Sequence, residues 1–207
     1  MEGIILNELS YLNNSFTTEV FYKKIKVEDI LNDYIDVDTF LECCKQCPNY
    51  DTRWSCPPYD FDVIDYWKNY KYLHVLGYKI TFDEDVVLKT YGEEELNLFI
   101  KELFRKQMEF FYEKSKYLEE KYEDSVSLAW GKCYKCDECT RKQSKKCRYE
   151  NDMRYSIESL GGNVDKLSKD LFNIELKWAQ RGKLPQYFFN SIGLLTKENE
   201  TLTEDEF

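Results

Sequence analysis

A chain of 207 residues with 43% hydrophobic residues, 17 Tyr and 13 Phe has the material for one sizeable core, and its net charge of −10 excludes a general nucleic-acid binder. No apolar run approaches the ~20 residues of a membrane span. The start, Met-Glu-Gly-Ile-Ile-Leu, lacks the basic and apolar segments of a signal peptide, so a cytoplasmic protein is expected, with neither nucleic acid nor membrane as partner.

Residues 1–18 carry weak signals and read as an N-terminal arm, 19–197 as a single domain, and 198–207 as an acidic, loose tail. β-Branched and aromatic residues at 19–27 predict a strand, and 28–34 a short helix. Thr39 with Glu42 has the form of a capping box, which would start a helix carrying Cys43 and Cys44. The first cysteine group follows: Cys44 and Cys47, then Cys56-Pro57-Pro58, which must leave extended because proline fixes its own backbone and restricts the residue before it. Cys43 reads as a buried or free thiol, since adjacent cysteines rarely reach one metal together. Tyr50 and Trp54 would wall this group from solvent or serve as core aromatics.

Residues 60–70 predict a helix with Ile64 and Trp67 inward. Residues 72–82 predict the clearest strand, alternating Leu76, Tyr78, Ile80 and Phe82 against Gly77, Lys79 and Thr81. The sole histidine, His74, falls in that strand and reads as a core residue. Thr90 and Glu93 repeat the capping-box pattern. Leu96, Phe99, Ile100, Leu103, Phe104, Met108, Phe111 and Leu118 then recur at helical spacing, predicting a long amphipathic helix over 92–122.

A short strand at 125–130 runs into the second cysteine group. Cys133, Cys136 and Cys139 follow one another at Cys-x-x-Cys-x-x-Cys spacing, and Cys147 comes seven residues later. Seven basic residues between 132 and 148 face only Asp137 and Glu138. They read as compensation for a negative thiolate-bound group, as a docking patch for an acidic redox partner or anionic ligand, or as a solvated loop. A helix is expected over 151–160, stopped by Gly161 and Gly162, with Arg154 and Glu158 one turn apart as an ion pair or as groups that orient a ligand near the second site. Asn163 caps another helix, with Val164, Leu167 and Leu171 on one face. Ile174, Leu176 and Trp178 alternate as a strand, and 187–195 form a last one. Helices and strands do not alternate regularly. The fold class is therefore α+β: a single mostly antiparallel sheet with helices on one face and two cysteine-rich metal-binding loops, which could meet at one end of the sheet.

Eight cysteines in a reducing compartment argue for metal or redox chemistry over disulfides. Thiolates are soft ligands for zinc, copper(I) or iron–sulphur clusters. Three in one short loop with a fourth farther on lean toward a [4Fe-4S] cluster, whereas zinc more often takes two separated Cys-x-x-Cys pairs. On this reading Cys133, Cys136, Cys139 and Cys147 hold a complete cluster for electron transfer. Cys44, Cys47 and Cys56 hold a second, with an open iron for a substrate or small ligand. Two other readings stay open. One is a non-catalytic electron carrier or redox sensor. The other is a structural zinc module built on Cys44/Cys47 and Cys133/Cys136, which leaves Cys56, Cys139 and Cys147 unexplained.

Together the motifs Cys44-x-x-Cys47-x-x-Tyr50-x-x-x-Trp54-x-Cys56-Pro57-Pro58 and Gly131-x-Cys133-x-x-Cys136-x-x-Cys139, then Cys147-Arg148 and Arg154-x-Ser156-x-Glu158-x-x-Gly161, resemble a bacterial and archaeal family known as domain of unknown function 2284, the predicted metal-binding proteins. The resemblance spans about residues 19 to 195. It implies a metal and no established reaction. The chain departs from the family pattern at Asp51, where glycine is usual, at Tyr149 and Glu150 in place of His-Pro, and at Tyr155 and Ile157 around the serine. None of these removes a thiolate.

Overall fold

The computed structural model describes residues 16–203 and 206. Its centre is β2 (Tyr72–Phe82), which pairs antiparallel with β1 (Phe16–Lys26) on one side and with β4 (Tyr187–Thr196) on the other. A three-residue strand, β3 (Val126–Leu128), pairs antiparallel with the far edge of β4, giving the order β1-β2-β4-β3. The remaining helices are α1 (Val27–Asp33), α2 (Val37–Lys45), α3 (Val63–Lys68), α4 (Glu84–Leu88), α5 (Glu93–Lys121) and α6 (Val164–Phe172).

The period of two along β2 and β4 sorts the core. Leu76, Tyr78, Ile192 and Leu194 pack with Met108, Phe111 and Leu118 of α5, and Ile80 and Phe188 with its Leu96 and Leu103. Leu73, Val75 and Leu195 point the other way. They pack with Val27 and Ile30 of α1, Trp67 of α3 and Leu167 of α6. Helices thus cover both faces of the sheet rather than one. The cause is legible in the first half of β2, where Leu73, His74, Val75 and Leu76 are all buried. A strand buried on both sides loses the apolar/polar alternation of a half-exposed one. At Gly77 the Phe189 ring crosses so closely that an added Cβ would lie 2.2 Å from it, so only glycine fits there.

Several local expectations shift. Asp36, not Thr39, caps α2, its carboxylate accepting the Thr39 N–H at 3.0 Å. Before α5, Glu95 reaches back to the Gly92 N–H at 3.4 Å, two residues beyond the expected Thr90/Glu93 box. Asn163 caps α6 as expected, accepting the Lys166 N–H at 2.9 Å. The helix expected over 151–160 is absent. Ala129 instead bridges Ser156, with the Ala129 N–H donating to the Tyr155 carbonyl at 2.7 Å, and only the 3-10 turn Glu158–Leu160 follows. The pairing with Ala129 holds the backbone extended, and local helix propensity loses to it. The alternation at Ile174, Leu176 and Trp178 yields no strand, because no neighbouring strand pairs with it, and Trp178 stands 73% exposed. The expected N-terminal arm lies almost wholly outside the described residues. The tail folds back instead of hanging loose: Leu202 is buried against the α5 side of the sheet, and the Tyr122 hydroxyl donates to Glu206 Oε1 at 2.8 Å.

Candidate metal centres

Helix α2 delivers Cys44 half-buried and leaves Cys43 exposed. Beyond it the chain curls through consecutive turns. The Cys47 N–H donates to the Cys44 carbonyl at 2.9 Å, Tyr50 to Cys47 at 3.1 Å and Cys56 to Arg53 at 3.1 Å. Asp51 sits in the left-handed region (φ 52), and its N–H closes the loop on the Pro57 carbonyl at 2.9 Å. Cys56 is buried. Burial pushes its thiol up to about 11, the Ser55 hydroxyl opposes this, and charge on Cys47 or Cys44 raises it further. Cys44 is likewise pushed up, by burial first and then by Cys47 and Cys43. Asn49 Nδ2 donates to Cys47 Sγ at 3.5 Å.

The second loop leaves β3 through Gly131, which is left-handed at φ 58. Cys139 precedes a 3-10 turn, Thr140–Gln143. The Thr140 hydroxyl then donates to the Lys146 carbonyl at 2.9 Å, and the Lys145 N–H to the Thr140 carbonyl at 3.1 Å. These two bonds fold the segment between Cys139 and Cys147 back on itself. Burial pushes the Cys147 thiol up, the Tyr149 N–H opposes it, and charge on Cys133, Cys139 and Cys136 raises it again. The Tyr112 hydroxyl from α5 donates to Cys133 Sγ at 3.5 Å. All eight cysteines are free.

The two loops interlock. Arg53 Nη1 donates to the carbonyls of Cys133 at 3.1 Å and Cys136 at 3.4 Å. Arg141 returns the contact, with Nη1 at 3.0 Å from the Arg53 carbonyl and 2.6 Å from that of Cys56, and Nη2 at 2.6 Å from that of Pro58. It also pairs with Asp51 at 3.0 Å and stacks over the Trp54 ring. The Trp54 indole N–H donates to the Lys145 carbonyl at 3.0 Å, so Trp54 ties the loops together. Sequence reading missed Arg53, Ser55 and Arg141. They carry no spacing signal, because each acts on a segment about eighty residues away.

Arg154 does not pair with Glu158. It makes a half-buried ion pair with Glu119 of α5, which leaves Glu158 to a separate environment beside Cys44. His74 is buried in the sheet between Tyr22 and Thr196, as a core residue.

Among the described residues, no three Cys, His, Asp or Glu side chains close to the geometry of a single bound ion. Seven of the eight free cysteines stand in the two loops, and thiols are the side-chain donors that suit soft metals. No described helix is long and apolar enough to cross a membrane. Among curated proteins and among solved structures nothing matches this chain. A family model described as predicted metal-binding protein (DUF2284) matches residues 23–195, a span that takes in both cysteine loops, and the chain belongs to that family.

Proposed function

We propose that this protein is an iron–sulphur protein with two [4Fe-4S] sites, one fully ligated and one with three protein thiolates. The supporting observation is that the two cysteine-spaced loops are tied directly to each other by side-chain to backbone hydrogen bonds. A cuboidal cluster takes thiolates at separate corners, which suits two open groups better than one ion drawing two pairs together. Cys133, Cys136, Cys139 and Cys147 would hold the first cluster, and Cys44, Cys47 and Cys56 the second. Such clusters supply one-electron transfer, and an iron without a protein thiolate takes a small ligand.

The chain's own groups suit that role. The Tyr112 hydroxyl and the Asn49 amide donate to ligand sulphurs, and hydrogen bonds to sulphur tune a cluster's potential. Lys142, Lys145, Lys146 and Arg148 are exposed beside the second loop and form the docking face for an acidic redox partner.

The test is iron and acid-labile sulphide content with a visible spectrum, on protein purified without oxygen. About eight irons and eight sulphides per chain are expected, falling to about four of each when Cys139→Ser removes a ligand of the complete site. Zinc without sulphide overturns the reading and leaves a metal-stapled module.

A further inference from the structure

One edge of the sheet is long and open. β1 runs for 11 residues, and among the described residues no strand pairs with its outer side. The opposite edge is blunted. β3 has three residues, and just beyond it the Ala129 N–H is taken by the Tyr155 carbonyl at 2.7 Å. A long open edge is a template for another strand, which is why folded proteins cover it, pair it or guard it with charge.

The two sides of β1 are distinct. The Val27 N–H, next after the strand, donates to the Lys71 carbonyl at 2.9 Å, in the register that sets Lys26 opposite Tyr72. Backbone groups of an antiparallel pair alternate between the two sides of a strand. Thr17, Glu19, Phe21, Lys23 and Ile25 therefore turn their N–H and C=O groups to β2, and the main chain of Thr18, Val20 and Lys24 faces outward.

Charge decides which strand fits. Glu19 stands toward one end of β1, and Lys23, Lys24 and Lys26 stand toward the other. An antiparallel copy of the same strand reverses that order. Outward groups meet outward groups only when the twofold axis falls on a residue. Of those registers, the one centred on Phe21 alone sets Glu19 opposite a lysine, Lys23, and symmetry makes the pair twice. Thr18 then faces Lys24, so no lysine meets a lysine. Lys23 is exposed and has no ion pair among the described residues. Glu19 meets Lys79 at 3.2 Å but stays half exposed, which leaves its carboxylate within reach of a second cation. Phe21, half-buried against Phe172 and Phe189, falls opposite its own copy at the axis, and cross-strand aromatic pairs add stability.

We propose that the partner of this edge is a second copy of the chain, which pairs β1 with β1 antiparallel about Phe21 and joins the two four-stranded sheets into one. The second cysteine loop follows β3, at the opposite edge of the sheet, and the inference stands whatever the loops hold.

The test is sedimentation equilibrium of the full chain over ~1–100 µM. A thiol reductant is present, so that the exposed Cys43 links no chains. A reversible dimer is expected. Lys23→Glu sets carboxylate against carboxylate and raises the dimer Kd about tenfold, and Glu19→Lys does the same with two cations. Combined in one chain the two reversals restore the pair and bring Kd within about threefold of the wild type. Val20→Pro removes an outward N–H while leaving the bonds to β2 in place, and raises Kd about a hundredfold. A monomer throughout the range overturns the inference and means that the edge is covered or guarded within the chain. So does a dimer indifferent to Lys23→Glu, or a double reversal that stays as weak as the single ones. Near-ultraviolet circular dichroism reports the fold of each variant. If Val20→Pro does not fold, the charge reversals decide alone, because both positions are exposed.

Discussion

The Cys133 backbone N–H donates to the Ser55 hydroxyl at 3.0 Å, and that hydroxyl lies 3.8 Å from Cys56 Sγ. One buried hydroxyl therefore serves both cysteine loops across 78 positions of sequence. Ser55→Ala leaves the Cys133 N–H without its partner, at a cost of about 1–3 kcal/mol. Urea unfolding should show the loss as a lower midpoint at unchanged slope. An unchanged midpoint would mean that water replaces the hydroxyl.

Arg141 offers one guanidinium to three carbonyls of the first loop and to the Asp51 carboxylate. Lysine has the charge without the planar fork. Arg141→Lys is expected to cost about 2 kcal/mol. Amide hydrogen exchange should accelerate at residues 51–58 while the α5 amides keep their protection. Equal acceleration in both segments would show that Arg141 holds the whole domain rather than the loops.

Gly161 has φ 81 and lies against the first turn of α2. Alanine there meets both a strained backbone and the Val37 main chain. The expected penalty is about 2–3 kcal/mol, since α2 must move to admit the methyl group. Because α2 carries Cys44, the variant should also retain less metal. A Gly161→Ala protein with wild-type melting temperature and metal content would show that α2 is not anchored here.

His74 provides a pH signature. The Thr196 hydroxyl spends its proton on the Glu198 carbonyl at 3.0 Å, so His74 Nε2 donates to Thr196 at 3.3 Å and Nδ1 accepts from the Tyr22 hydroxyl at 2.8 Å. Burial, aided by Lys24 and opposed by Glu206, lowers the His74 pKa from 6.5 to about 4. The unfolded chain then binds a proton that the folded chain refuses. The stability from neutral His74 is complete above pH 6.5 and is lost as pH falls toward 4, up to about 3 kcal/mol. Burial works to raise Glu206, but hydrogen bonds from Lys121, Thr203 and Tyr122 outweigh it and hold the group at about 2, so its own loss falls below pH 4.5. His74→Asn should flatten the stability profile between pH 4 and 6.5. An unchanged slope there would assign the window to other groups.

What the sequence made legible has local causes. The alternation of Leu76 to Phe82 defines β2, the recurrence from Leu96 to Leu118 defines α5, and cysteine spacing marks both loops. Asp51 is a case where structure explains a departure from the family pattern. Its position is left-handed, where glycine is easiest and Asp or Asn next best, and its carboxylate gains Arg141 in exchange. The misreadings arise where distant pairing decides. Ser156 is held by Ala129, so 151–160 does not coil, and Ile174 to Trp178 alternate with no strand beside them. The arginine clamp is invisible for the same reason. Between the loops its acceptors are mostly backbone carbonyls, which every residue has, so few residue types at the receiving end announce it.

The interlock of Arg53 and Arg141 has a thermodynamic consequence. Each arginine stands in one loop and grips the main chain of the other, so neither loop can settle without drawing its neighbour into shape. On the proposed two-site reading, the first occupant meets the entropy of ordering for both segments, and the second arrives at a site already arranged. Linkage makes that help reciprocal. On that reading half-filled molecules are the scarce species during assembly, and loss of one occupant loosens the hold on the other.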